Sequence, residues 1–274
     1  MYSGEALPRM IFFLFAMGVA AAIFFGSLLL LEYGRRLGAR RLAQEGPGAF
    51  TGLNAVEGAV FALMGLLLAF ALAGALQRFD DRRQQILQEA AAISTAYDRL
   101  DLLAGEARVE IKAKLKDYLK ARLELYRLPR DFSLTKGAAV YSSDQQAKIL
   151  ALKAEIWEGA VAACPKTASL TACSLLLPSL NSVFEIARLR TGANERHPPQ
   201  VIYVMLFGLG LGGSLLAGFG MAAAKTRSWV HMATFAMALA VALYVITDIE
   251  FPRLGLITLD YFDHFLDDVY SQML

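Results

Sequence analysis

Four long apolar runs constrain the fold of this chain more than any other feature of its sequence. They cover Met10–Leu31, Ala55–Leu76, Val201–Ala224 and Trp229–Thr247. Each is about 20 residues long, which as a helix crosses the hydrocarbon layer of a bilayer. Glu57 and His231 are the only acidic, basic or histidine residues in them. The chain is 56% hydrophobic and only 19% charged, so we expect a membrane protein with four spanning helices.

The segment between the second and third runs has the opposite character. It carries 19 basic and 15 acidic residues. Helical periodicity is its main pattern, and two apolar stripes show it: Ile86, Ala90, Ile93, Tyr97 and Leu100, then Ile111, Leu115, Tyr118, Arg122 and Leu125.

We therefore predict an all-α membrane protein in three parts. Residues 1–76 form a first transmembrane hairpin, with spans at about 10–31 and 55–76. Residues 77–200 form an extramembrane helical domain, and the second span continues into it as one long helix. Residues 201–274 form a second hairpin, with spans at about 201–224 and 229–247, and a C-terminal tail.

Basic residues in the short connections indicate the orientation. One side of the membrane would have Arg35, Arg36, Arg40, Arg41, Lys225 and Arg227, and the other side, apart from the long block, only Arg9 and Arg253. By the positive-inside rule, the first side is cytoplasmic. The helical domain and both termini would then be extracytoplasmic, in a multi-pass protein of a bacterial inner membrane. Arginines that flank the membrane on the side of the block argue against this, although long loops are translocated largely regardless of charge.

The two cysteines, Cys164 and Cys173, lie close together in the polar block. An oxidising compartment would favour a disulfide between them. The alternative is two ordinary buried thiols.

The third run contains "FGLGLGGSLLAGFG", with the G-x-G-x-x-G spacing of a dinucleotide-binding loop. That loop needs a strand before it and an acidic residue about 20 residues later, and this sequence offers neither. Gly208 and Gly212 also have the G-x-x-x-G spacing that lets two membrane helices pack closely. We expect helix packing here, and no nucleotide.

Two faces can be drawn on the second span. Gly58 and Gly65 belong to a stripe of small residues suited to helix contact. Glu57, Phe61, Met64 and Leu68 form another face, suited to an apolar constriction if several subunits met around an axis. Alternatively, this second face contacts lipid or neighbouring helices. Arg78, Arg82 and Arg83 follow the span and would set the charge at one mouth of a pore.

Residues arranged for catalysis are scarce. His197, His231 and His264 do not form a metal-binding motif, so we expect no metal, no cofactor and no enzyme activity. Asp248 and Glu250 are near Arg253, which favours a structural ion pair over paired catalytic carboxylates. A net charge of +2 makes nucleic acid an unlikely partner.

Three segments, taken in order, resemble the bacterial bestrophin-like membrane proteins. They are "FDDRRQQILQEAAAISTAYDRLDLL", "LNSVFEIARLR" followed by "HPP", and "DIEFPRLGLI". The resemblance covers nearly the whole chain. It places these residues at recurrent positions of the family: Glu89, Ala90, Thr95, Tyr97, Asp98, Asp101, Asn181, Arg188, Arg190, Asp248, Pro252, Arg253 and Gly255.

The organisation is also similar to that of true bestrophins, which implies a pentameric anion channel lined by the second helices. Bestrophins, however, have their helical block in the cytoplasm. The first functional hypothesis is a homo-oligomeric ion channel, with a pentamer favoured and with lipid, inorganic ions and copies of itself as partners. The alternative is a membrane-anchored sensor or scaffold whose helical domain binds a partner without ion flux.

Overall fold

The computed structural model of the chain describes residues 3–46, 53–127, 143–224 and 228–273, and in these ranges all regular secondary structure is helical. Lys225 and Arg227, which entered the count of basic residues, lie outside the described residues. The α-helices, in chain order, are α1 (Ser3–Glu45), α2 (Leu53–Arg99), α3 (Glu106–Arg127), α4 (Ser143–Thr167), α5 (Leu170–Glu195), α6 (Gln200–Gly220), α7 (Trp229–Glu250) and α8 (Asp260–Gln272).

The second helix is continuous, as the sequence predicts. It contains 47 residues and passes into a short 3-10 turn, Leu100–Leu102. Gly105 then adopts a φ of 71°, which residues with a Cβ rarely adopt. This glycine separates α2 from α3.

The chain divides into two compact units. The first, which we call the helical unit, contains residues 1–9, 78–197 and 258–274. Its apolar core includes Ile86, Ile93, Leu115, Leu119 and Leu180, drawn from α2, α3 and α5. The C-terminal tail, which the sequence analysis grouped with the second hairpin, joins this unit because Leu266 of the amphipathic α8 is buried in the same core.

The second unit, which we call the apolar unit, contains residues 10–77 and 198–257. Its core includes Ile23 of α1, Leu206 of α6, and Leu239 and Leu243 of α7. Glycines bring α1 and α6 together: a Cβ at Gly34 would overlap the backbone of Leu215, and a Cβ at Gly218 would overlap the backbone of Leu31. Such close backbone approach is typical of helices that pack within a membrane.

Among the described residues, five helices are long and apolar enough to cross a membrane, one more than the sequence analysis counted. Four correspond to the apolar runs, and the fifth is α5. However, α5 contains Glu185, Arg188 and Arg190, and it buries Leu176, Leu180 and Val183 in the core of the helical unit. The most apolar window of α5 is 33% buried, the same share as in α7.

Candidate functional site

One face of α2 packs inside the subunit, and it is the face that the sequence suggested as a pore constriction. A Cβ built on Gly213 of α6 would lie 3.3 Å from Sδ of Met64 and 3.4 Å from the ring of Phe61. The ring centroids of Phe61 and Phe235 are 6.0 Å apart. Leu68 packs against the core of the apolar unit.

Glu57 begins the same face. Its carboxylate lies beside Gly220, where an added Cβ would be 2.6 Å from Oε1. Glu57, Phe61, Met64 and Leu68 are thus partly buried within their own chain, and their assignment to a pore constriction stays a prediction. The helical spacing of a pore lining and that of a core stripe are the same, so the pattern alone does not identify the partner.

The opposite face of α2 is uncovered in the single chain. Only 6% of the most apolar window of this helix is buried, compared with 22% for α1, 28% for α6 and 33% for α7. The exposed side chains include the bulky Val56, Leu63, Leu66 and Phe70. Beside them runs a stripe of small residues, which are also exposed: Gly58, Ala62, Gly65, Ala69 and Ala73.

The four glycines expected to pack helices have open surroundings within the chain. A Cβ at Gly58, Gly65, Gly208 or Gly212 would meet no atom within 4 Å. The packing inside the apolar unit uses other glycines, at positions 34, 38, 210, 213 and 218. The four exposed glycines are therefore available for contacts with lipid or with another chain.

The three arginines after the span have different surroundings. Arg82 is buried, and its guanidinium donates hydrogen bonds to the carbonyl oxygens of Ala193 (3.2 Å) and Arg196 (2.9 Å). These carbonyls lie at the C-terminal end of α5, where backbone acceptors lack helical partners. Arg83 is exposed, 3.4 Å from Asp80, and Arg78 is half-buried. Of these three arginines, Arg83 is thus the exposed one.

The centre of the helical unit holds a buried network of charges. Glu89 on α2 is fully buried and accepts hydrogen bonds from Arg122 on α3 (3.0 Å) and Arg190 on α5 (2.7 Å). Arg190 also reaches Asp263 on α8 at 2.7 Å. Two cations thus face two carboxylates, so the network is neutral overall and ties four helices together.

Tyr126 completes this network. Its hydroxyl contacts both oxygens of Glu89, at 3.0 and 3.2 Å, as well as the guanidinium of Arg122, and its ring lies 3.6 Å from the guanidinium carbon of Arg190. Burial alone would lower the pKa of Arg122, but the Glu89 carboxylate raises it, so the guanidinium stays charged. Burial raises the pKa of Tyr126 and keeps its phenol neutral.

Of the other positions that the resemblance identified, Asp248 has the clearest role. It is buried at the end of α7, and its carboxylate accepts hydrogen bonds from the backbone N–H groups of Leu256 (2.9 Å) and Ile257 (2.9 Å) and from the hydroxyl of Tyr244 (3.3 Å). A Cβ at Gly255 would overlap this carboxylate. Asp248 thus fixes the turn after α7 by binding backbone amides.

The remaining members of that set have smaller or less defined roles. Pro252 is buried in the same turn, and Arg253 beside it is half-buried. Asp101 pairs with Lys112 at 2.7 Å on the surface, and Arg188 is exposed. Sequence reasoning did not identify Arg122 as a charged partner, although a cation on an otherwise apolar stripe is the signal of a buried ion pair.

The two cysteines are joined in the structure. Cys164, near the end of α4, and Cys173, in the first turn of α5, form a disulfide with Cα atoms 5.7 Å apart. This bond links the ends of two consecutive helices in the helical unit. Within the described ranges, no group of three or more His, Cys, Asp or Glu side chains is arranged to hold a metal ion.

Long, lipid-compatible helices together with a charged helical unit define a helical membrane protein. The bestrophin-like domain matches residues 21–259, so the chain belongs to the bestrophin-like family, and the resemblance seen in the sequence is confirmed. No curated protein matches the chain.

Two solved structures have a similar fold. Both are variants, each with one substitution, of a bacterial bestrophin homologue from Klebsiella pneumoniae. The first is 16% identical, with a TM-score of 0.66, and the match covers 93% of this chain and 97% of that chain. The second is 17% identical, with a TM-score of 0.64, and covers 92% and 98%. At this level of identity the likeness concerns the fold.

Proposed function

We propose that the protein is a homo-oligomeric ion channel, with a pentamer favoured, in which α2 helices of several subunits surround the pore. The observation that carries this proposal is the exposure of α2, whose apolar window is only 6% buried within its own chain. A spanning helix that its own subunit leaves uncovered must face lipid, a copy of itself or a water-filled path. Membership of the bestrophin-like family supports the last two.

The exposed face of α2 supplies both kinds of residue that such a pore needs. Gly58 and Gly65 are exposed and lie beside the face that packs on α6 and α7, so they would let α2 of a neighbouring subunit approach closely. Leu66 and Phe70, beside that stripe, are the bulky apolar side chains that would narrow the pore. We therefore assign the constriction to these two residues in place of Phe61, Met64 and Leu68.

At the extramembrane end, Arg83 would favour anions near the pore, because it is exposed and positively charged. Arg82 would act differently, by stabilising the end of α5.

A pair of phenylalanine variants tests this assignment in reconstituted bilayers. Phe70→Ala should raise the single-channel conductance or the open probability several-fold, because a wide apolar constriction is easier to wet. Phe61→Ala removes a ring of the same size from the opposite face, so it should reduce thermal stability and change conductance much less.

A larger change in conductance from Phe61→Ala than from Phe70→Ala would indicate that the constriction lies on the face of Phe61. No current from the purified, correctly assembled wild type would contradict the channel proposal itself. It would instead favour a sensor or scaffold with a closed centre.

We further propose that the protein spans a bacterial inner membrane four times and that its helical unit is extracytoplasmic. The disulfide between Cys164 and Cys173 supports this orientation, because the cytoplasm keeps most thiols reduced. The arginines at the end of α1 support it as well, by the positive-inside rule.

A further inference from the structure

One face of α1 changes character along its length. Phe25, Leu29 and Tyr33 are 61%, 71% and 56% exposed, and they are spaced four residues apart. Arg36, whose side chain is 69% exposed, and Arg40, also exposed, continue the same face at helical spacing. The face therefore passes from the apolar Phe25 and Leu29 through Tyr33 to cationic side chains, which is the order of a bilayer from its acyl chains to its headgroups.

Packing within the apolar unit determines the direction in which this face of α1 points. The opposite side carries Gly34 and Gly38, which lie against Leu215 and Phe219 of α6. Since these glycines bring the α1 and α6 backbones together, α1 has no freedom to turn its arginine face toward the subunit. Arg36 and Arg40 face away from α6.

The contact between α1 and α6 also indicates the depth of these arginines. A Cβ at Gly38 would meet Phe219 and Ala222, so it lies beside the C-terminal end of α6 at Gly220. The apolar α6 ends at this level, and α7 begins close by in sequence with Trp229, which is 53% exposed. Tyr and Trp side chains are enriched at the boundary between the hydrocarbon and water. Arg36 and Arg40 are thus positioned at headgroup depth.

The charges of this segment do not cancel. Glu32 is shared between Arg35 (3.2 Å) and Arg36 (3.0 Å), and Glu45 pairs with Arg41 (3.1 Å). Arg40 has no ion-pair partner within the part of the chain that the structure describes. The cluster is left with more positive than negative charge, and Arg36 uses its Nε for Glu32, which leaves its terminal N–H groups for a further acceptor.

We propose that Arg36 and Arg40 form a binding site for the headgroup phosphate of an anionic phospholipid. The planar guanidinium group of arginine matches phosphate oxygens with paired hydrogen bonds. Tyr33 lies at the level of the glycerol backbone, and Leu29 and Phe25 contact the acyl chain. This site does not depend on ion conduction by the protein.

The test uses the purified full-length protein and two lipids, phosphatidylglycerol and phosphatidylcholine. Native mass spectrometry counts the lipids retained, and the thermal midpoint is measured in nanodiscs of each lipid. The wild type should retain phosphatidylglycerol preferentially and melt at a higher temperature in it. The double variant Arg36→Gln/Arg40→Gln should bind phosphatidylglycerol about 30-fold more weakly, because the contributions of two basic residues near an anionic surface add.

The matched control is Arg108→Gln/Lys120→Gln, which removes the same charge from exposed positions of the helical unit and should leave lipid retention unchanged. If the first double variant does not insert, Arg36→Lys/Arg40→Lys keeps the charge but loses the paired geometry, and it should bind with intermediate affinity. Equal loss of phosphatidylglycerol from the control variant would overturn the proposal. Displacement of the lipid by millimolar inorganic phosphate would also overturn it, because it would indicate a site for free anions.

Discussion

Glu89 is the residue on which the charge network of the helical unit depends. Its carboxylate is fully buried and faces both Arg122 and Arg190. Removing its charge leaves two guanidinium groups in the core with Asp263 as the one carboxylate paired with them among the described residues. Breaking a buried ion pair from one side typically costs about 3–5 kcal/mol. We expect Glu89→Gln to lower the stability of the protein by about this amount.

Thermal unfolding in detergent would measure this effect. Asp101→Asn provides the control, because that carboxylate pairs with Lys112 at the surface, where such pairs contribute only about 0.2–1 kcal/mol. Similar losses from the two variants would mean that the Glu89 network is not a buried ion-pair centre.

The buried phenol of Tyr118 should make the stability of the protein depend on pH in the alkaline range. Burial raises the pKa of Tyr118 to about 12 from its ordinary value of 10.0. Because the folded state holds this proton more tightly than the unfolded chain does, the stabilisation is complete below pH 10 and declines as the pH rises toward 12. A spectrophotometric titration of tyrosinate should therefore show a late component.

Substitution identifies the source of that late component. Tyr118→Phe should reduce it, whereas Tyr261→Phe, at an exposed position, should reduce the early component instead. If Tyr118→Phe left the late component intact, the burial of this phenol would be refuted.

At the level of whole helices, two glycines of α6 separate packing within a subunit from packing between subunits. A Cβ at Gly218 would overlap the backbone of Leu31 on α1, whereas a Cβ at Gly212 would meet nothing. Gly218→Ala should therefore destabilise the subunit by several kcal/mol, which is typical of steric overpacking that the backbone cannot absorb. Its thermal midpoint and its yield from the membrane should both fall.

Gly212→Leu should give the opposite result. The subunit should fold normally, but the oligomer should dissociate more readily during size-exclusion chromatography with light scattering, if this exposed glycine contacts a second copy. An oligomer of unchanged stability would place Gly212 against lipid.

Helices α2 and α3 show which features could be predicted from the sequence and which could not. Periodicity predicted the buried stripe of α3, and Ile111, Leu115, Tyr118, Arg122 and Leu125 are all buried. It could not reveal the partner of Arg122, because Glu89 lies 33 residues away on another helix. Likewise, the sequence indicated that α2 has two different faces. It could not indicate which face packs on α6 and α7, because those contacts join residues far apart in sequence.

At the scale of the whole molecule, the side of the membrane on which the helical unit lies determines which compartment that unit contacts. Lys120 is exposed in that unit. In a Cys164→Ser/Cys173→Ser background, Lys120→Cys should react with a membrane-impermeant maleimide in spheroplasts, because we propose an extracytoplasmic unit. Protection until the membrane is permeabilised would reverse the orientation.

The wild type provides an independent check of the same question. Alkylation of the denatured protein without a reductant should leave Cys164 and Cys173 unmodified if they form the disulfide. Complete alkylation would show that the unit matures in a reducing compartment.

The charge network also has a consequence for biosynthesis. Glu89 is translated well before its partners, since Arg190 follows 101 residues later and Asp263 a further 73 residues after that. A ribosome that has made α2 and α3 therefore holds Glu89, Arg122 and Tyr126 without Arg190 and Asp263. Arg190 gains its Asp263 partner only when α8 emerges, so we expect a chain truncated before α8 to be less stable than the full-length protein.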